Sequence, residues 1–114
     1  MNAPAVLYES SISNLKLRAR GKVRDIYDVD AETMLIVTTD RLSAFDVVLP
    51  DAIPDKGRVL TRVSNFWFDK MRAIIPNHLL EIPLERIVPD ATERAQIEGR
   101  SSVVKKFQPL PVEA

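Results

Sequence analysis

Two apolar runs frame the middle of the chain. Met34-Leu35-Ile36-Val37 and Val47-Val48-Leu49 each have strand length, and Pro50 stops the second. Between them the chain turns polar at Thr38-Thr39-Asp40-Arg41-Leu42-Ser43-Ala44-Phe45-Asp46. A strand that is apolar on both faces is covered on both sides, so polar residues at its end sit on a rigid frame. Upstream the pattern is alternation: Leu15 and Leu17, then Val23, Tyr27 and Val29, share parity on either side of Gly21-Lys22. This predicts a β-hairpin with Arg20-Gly21-Lys22 in its turn. Asp25 falls on the apolar face of that hairpin. Burying a lone acid is very costly, so Asp25 is either paired or at the mouth of a cleft.

From Arg58 to Ile75, Leu60, Val63, Trp67, Met71 and Ile74 recur at spacings of three and four, one helical stripe ended by Pro76-Asn77. Phe66 and Phe68 widen it, which predicts a helix laid against a sheet with much of its circumference covered. The remaining elements are short. A strand is expected over residues 78–82, turns from Pro83 to Pro89, a solvated helix over 91–99 capped by Asp90 or Thr92, and a strand over 102–107. Residues 1–14 read as a loosely held lead-in with a short helix around Tyr8 to Ile12, and residues 108–114 as an extended, proline-stiffened end. The fold class is α+β: a largely antiparallel sheet packed against one long helix.

Composition narrows the function. A chain of 114 residues is one domain with room for a core. Its 16 basic and 16 acidic side chains leave no net charge to draw it to nucleic acid or an anionic membrane. There is no cysteine, which excludes disulfides, thiolate metal sites and cysteine nucleophiles, and His78 is the only histidine. The first residues lack a basic start and a long apolar run, and no stretch approaches a membrane span, so a cytoplasmic location is expected.

Three stretches are candidates for chemistry, each with an ordinary alternative. Asp40, Arg41, Ser43 and Asp46 line a pocket for a phosphate- or carboxylate-bearing ligand, or they form a polar turn with Asp40 and Ser43 bonding nearby backbone N–H groups. Gly21, with Lys22 and Arg24, lets backbone N–H groups and two cations approach a phosphate, or these are solvated hairpin charges. Gly57 opens the start of the long helix to an anion, or Lys56-Gly57-Arg58 is a plain loop-to-helix junction. His78 reads as a surface or edge residue.

The order of the motifs is more specific than any one of them. Arg-Gly-Lys-Val-Arg-Asp-Ile-Tyr at 20–27, Thr-Asp-Arg-Leu-Ser-Ala-Phe-Asp at 39–46, Ile-Pro-Asp-Lys-Gly at 53–57, Leu-Thr-Arg-Val-Ser-Asn-Phe-Trp-Phe at 60–68 and Pro-Leu-Pro-Val-Glu at 109–113 closely resemble the phosphoribosylaminoimidazole-succinocarboxamide synthase (SAICAR synthetase) family from about Leu15 onward. The resemblance implies a purine-biosynthesis ligase that joins carboxyaminoimidazole ribonucleotide to L-aspartate with ATP and Mg2+. It assigns Gly21, Lys22, Val23 and Arg24 to a hairpin over the ATP phosphates. The strand that runs beside the adenine would be Val104 to Phe107, with Lys105, Lys106 and Phe107 contributing backbone groups. Asp40, Arg41, Ser43, Asp46 and Glu113 fall on the substrate side. The family pattern continues past Ala114 into a phosphate loop and later carboxylates, so this chain reads as an amino-terminal, ATP-binding lobe, inactive alone and inclined to self-associate through its exposed cleft face.

Overall fold

In the computed structural model, which describes residues 6–107, the elements in chain order are β1 (Lys16–Arg20), β2 (Arg24–Asp28), β3 (Thr33–Thr38), β4 (Ser43–Ala44), β5 (Val47–Val48), α1 (Lys56–Met71), α2 (Leu84–Ile87), α3 (Ala91–Ile97) and β6 (Ser101–Lys105). Alternation upstream makes the β1–β2 hairpin, and the buried run makes β3. The four longer strands form an antiparallel sheet in the order β1-β2-β3-β6. Tyr27 stands opposite Leu35, and Leu35 opposite Val103, so these side chains share a face. The period of two puts Ile26, Ile36 and Ser102 on the other.

The first face carries the core. Leu35, Val37, Val88 and Ile97 have no accessible surface, and Leu7, Ile12 and Ile87 close over them. Each such side chain contributes about 1.5–3 kcal/mol of hydrophobic stabilisation. Leu7 and Ile12 belong to the lead-in, whose described part is therefore tied down rather than loose, and it contains no helix. Its polar anchors are as firm as its apolar ones: Ser10 donates to Asp25 from both its backbone N (2.8 Å) and its hydroxyl (2.7 Å).

Local signals set the lesser elements, with two changes of form. Asp90 caps α3 by accepting from the N–H groups of Thr92 and Glu93, and the helix then buries Ile97, so it is not merely solvated. The strand expected over 78–82 contracts to a single bridge between Leu79 and Val104. The segment after Pro83, expected to be confined to turns, forms the one-turn helix α2, which Pro83 precedes as its N-cap.

The largest departure concerns α1. Only Gly57 and Thr61 of this helix are buried, whereas Val59, Val63, Phe66 and Trp67 each expose half or more of their surface. The helix meets the sheet through its first turns, at the end of β3, and turns its apolar stripe away. Periodicity states that a face needs covering; it does not name the cover. The run Val47-Val48 is likewise exposed, as the outer strand of the small β4–β5 ribbon.

Candidate functional site

At the end of β3 the chain buries Asp40 and Arg41, the two ions that the sequence offered either to a ligand pocket or to a polar turn. The Asp40 carboxylate is inaccessible to solvent. It accepts from the backbone N of Leu7 (2.9 Å) and of Gly57 (2.7 Å) and from the Arg100 guanidinium (2.7 Å). Burial pushes its pKa up, but the hydrogen bonds from Arg100, Gly57 and Leu7 outweigh that and hold the carboxyl below its ordinary value. The anion at the start of α1 is thus the protein's own Asp40. Gly57 does serve close approach there, but by backbone: a Cβ on it would collide with the Thr38 carbonyl oxygen and stand 2.7 Å from the Arg100 guanidinium.

Arg41 is turned inward too, with 3% of its side chain exposed. Its guanidinium donates to the carbonyls of Lys22 (3.0 Å), Gly21 (2.9 Å), Arg24 (3.2 Å) and Tyr8 (2.6 Å) and to the Asp25 carboxylate (2.9 Å). Asp25 is therefore paired, with Arg20 (2.8 Å) and Ser10 on its second oxygen. The signature segment and the glycine hairpin are one mechanical unit.

The exposed members of both motifs meet across a gap. Lys22, at the hairpin tip, forms an ion pair with Asp46, and its hydrogen bond and charge hold the Asp46 carboxyl below its ordinary pKa. Asp46 and Phe45 form the two-residue turn of the β4–β5 ribbon, with φ of 63° and 52°. That is left-handed backbone on two non-glycine residues, a conformation L side chains rarely adopt. Phe45 is fully exposed and Ser43 half-buried beside it. Strain of this kind concentrates at functional sites.

One concavity joins the hairpin to the far strand. A groove of about 360 Å³ lies between the second face of the sheet and α1, lined by Val23 and Arg24 from the hairpin, Ile36 and Thr38 from β3, Thr61, Ser64 and Phe68 from α1, His78, and Ser102 and Val104 from β6. Its lining mixes apolar side chains with hydroxyls, the Arg24 guanidinium and the His78 ring, a combination that suits a polar small molecule. His78 is thus a lining residue, half-buried, with its ring 5.7 Å from that of Phe68. Beyond the groove the chain continues through Lys105, Lys106 and Phe107. Lys105 is exposed, with its ammonium 5.8 Å from the Phe107 ring, and Lys106 is paired with Asp28 at 2.8 Å. That hydrogen bond leads the causes that keep the Asp28 carboxyl below its usual pKa.

Comparison with known proteins decides the family. The SAICAR synthetase family profile matches residues 17–114. The chain belongs to the SAICAR synthetase family. A phosphoribosylaminoimidazole-succinocarboxamide synthase of Methylococcus capsulatus is 65% identical over 114 residues, all of this chain and 38% of that protein. One from Dechloromonas aromatica is 60% identical, again over all of this chain and 36% of its own length. A solved SAICAR synthase superposes with a TM-score of 0.85 at 39% identity, covering 92% of this chain and 38% of its own. The Saccharomyces cerevisiae enzyme, solved with SAICAR, gives 0.81 at 41% identity, covering 88% and 36%. The chain therefore spans little more than a third of the SAICAR synthetases it matches.

Within this family segment, Glu113 lies outside the described residues. Among the described residues no group of three or more His, Cys, Asp or Glu is placed to hold a metal ion. No helix among them is long and apolar enough to cross a membrane. Sequence reasoning missed Arg100, which is 1% exposed and closes the Asp40 pair. Nothing in spacing ties residue 100 to residue 40.

Proposed function

We propose that the chain is the ATP-binding lobe of a purine-biosynthesis ligase, one that condenses carboxyaminoimidazole ribonucleotide with L-aspartate to give SAICAR, ADP and phosphate. The observation that carries this reading is the groove that touches the hairpin at Val23 and Arg24 and β6 at Ser102 and Val104 in a chain of the SAICAR synthetase family. A nucleotide laid along it has its phosphates under the hairpin and its base beside the strand leading to Lys105, Lys106 and Phe107. The N–H groups of Lys105 and Lys106 donate to the carbonyls of His78 (2.9 Å) and Glu32 (2.7 Å), so the base is read by the remaining backbone groups of that segment and its side chains are free to vary.

Lys22 and Arg24, both exposed, bring positive charge to the phosphates. Ser43 and Asp46, on the strained ribbon, face the end of the site where the ribonucleotide carboxylate is activated, and the family motif assigns Glu113 to the substrate as well. Asp40 and Arg41 act from within, by holding the loops that carry the exposed groups. The carboxylate to be amidated must first become electrophilic, most simply by phosphorylation, and the aspartate amine then displaces phosphate. Magnesium arrives with the nucleotide and offsets its charge. A cytoplasmic location is part of the same proposal.

Binding and turnover separate in this chain. Displacement of a fluorescent ATP analogue by ATP should be measurable, and Lys22→Ala should weaken it; a wild-type chain that binds no nucleotide overturns the assignment of the groove. The lobe taken alone is expected to bind and not to turn over. Release of ADP by these 114 residues that depends on both co-substrates would refute that. The bare apolar side of α1 would be covered in a longer ligase, and where it stays bare it favours self-association.

A further inference from the structure

The hairpin tip is held by its carbonyls. Those of Gly21, Lys22 and Arg24 accept from the Arg41 guanidinium at 2.9, 3.0 and 3.2 Å. The carbonyl of Arg24 also accepts from the Gly21 N–H across the turn (2.8 Å), and that of Val23 accepts from the backbone N of Thr39 (3.0 Å) and from its hydroxyl (2.7 Å). One buried side chain thus fixes three of the four residues of the tip.

We infer that Arg41 is a positioning residue: its buried guanidinium gathers the carbonyls of Gly21, Lys22 and Arg24 and so holds the tip that carries the Lys22 and Arg24 side chains in place for the phosphates. The inference rests on the nucleotide reading of the groove and assigns the aiming of that site to a side chain that never touches the ligand. Arg41 suits the task chemically. Its planar fork donates in several fixed directions at once, whereas a lysine offers one compact ammonium. Asp25, 2.9 Å away, offsets its charge, which makes the burial tolerable, and the 2.6 Å bond to the Tyr8 carbonyl ties the tip to the lead-in.

The test compares Arg41→Lys with wild type in the 114-residue chain by 15N relaxation and by titration with inorganic triphosphate. In the wild type the tip should be as rigid as the strands, with order parameters near ~0.85, and in the variant residues 21–24 should fall below ~0.6 while β3 and β6 keep theirs. Triphosphate affinity should drop at least ~10-fold, the loss expected when several charge-assisted hydrogen bonds that hold a site are removed. Should Arg41→Lys lose the sheet altogether, Thr39→Val carries the test, since it removes the hydroxyl that donates to the Val23 carbonyl and accepts from the Arg41 backbone N while the Thr39 N–H keeps its bond to Val23, and it should weaken binding several-fold. A tip that stays ordered, or a triphosphate affinity that is unchanged beside a binding wild type, overturns the role of Arg41 and leaves the nucleotide reading standing. A wild-type chain that binds neither triphosphate nor ATP overturns both.

Discussion

Replacing Gly57 by alanine sets two effects against each other. Gly57 lies in the first turn of α1, and helix propensity alone favours alanine by about 1 kcal/mol. Its surroundings oppose the change. A Cβ would press on the Thr38 carbonyl oxygen and lie 2.7 Å from the Arg100 guanidinium and 2.9 Å from the Thr39 carbonyl oxygen. Two of these three are backbone atoms of the central strand and its extension, which cannot rotate away as the end of a side chain can. Forcing a methyl into such a site costs about 1–3 kcal/mol. The helix start must also retreat from Asp40, which lengthens the 2.7 Å bond from the Gly57 N–H and disturbs the Arg100 pair. Weakening a hydrogen bond to a buried carboxylate adds about 1.5–3 kcal/mol. Steric and electrostatic losses therefore exceed the propensity gain, for a net destabilisation of about 3 kcal/mol and a fall in Tm on the order of 15 °C in a domain of this size.

Thermal unfolding followed by far-ultraviolet circular dichroism measures the change, and Gly21→Ala is the control. A Cβ there meets only the Arg24 carbonyl oxygen, at 3.6 Å, an ordinary contact. That substitution should move stability by less than about 1 kcal/mol in either direction. If Gly57→Ala unfolds at or above the wild-type temperature, the close packing of α1 on the end of β3 is wrong, and with it the account of why Asp40 is buried.

The buried Asp40 makes stability depend on pH in a definite direction. Its folded pKa lies below the unfolded value of 3.8, so its contribution is complete above that value and is lost as pH falls through the folded pKa. Asp40→Asn should be destabilised by about 3 kcal/mol at neutral pH, because Arg100 stays buried without its counter-ion, and urea unfolding should show less loss of stability below pH 4 than wild type. Lys22→Ala should raise the Asp46 pKa toward the ordinary carboxylate value in an NMR titration and leave the unfolding midpoint in place, since both partners are largely exposed. On α1, Trp67 is 52% exposed, so Trp67→Lys should change stability by less than about 0.5 kcal/mol while shifting light scattering toward monomer. Unchanged scattering would mean that this side of the helix does not drive association.

What was legible in the chain was what depends on near neighbours. Alternation around Gly21, the apolar run at 34–37, the three- and four-residue spacing from Leu60 to Met71 and the Asp90 cap each express a local geometry, and each produced its element. The motif order from 20 to 68 identified the family for the same reason, since it is written in consecutive residues. Only the tertiary structure decided which charged residues are buried and which stay exposed. Asp40 and Arg41 look like pocket residues beside Ser43 and Asp46, yet their partners are Arg100, Gly57 and Leu7 in one case and the hairpin carbonyls and Asp25 in the other. A buried charge is tolerable only with partners in place, and those partners come from chain positions up to 60 residues away. The side of α1 that would be covered was undetermined for a related reason. A hydrophobic stripe records that burial is favourable, whereas the surface that supplies it is a property of the assembled fold.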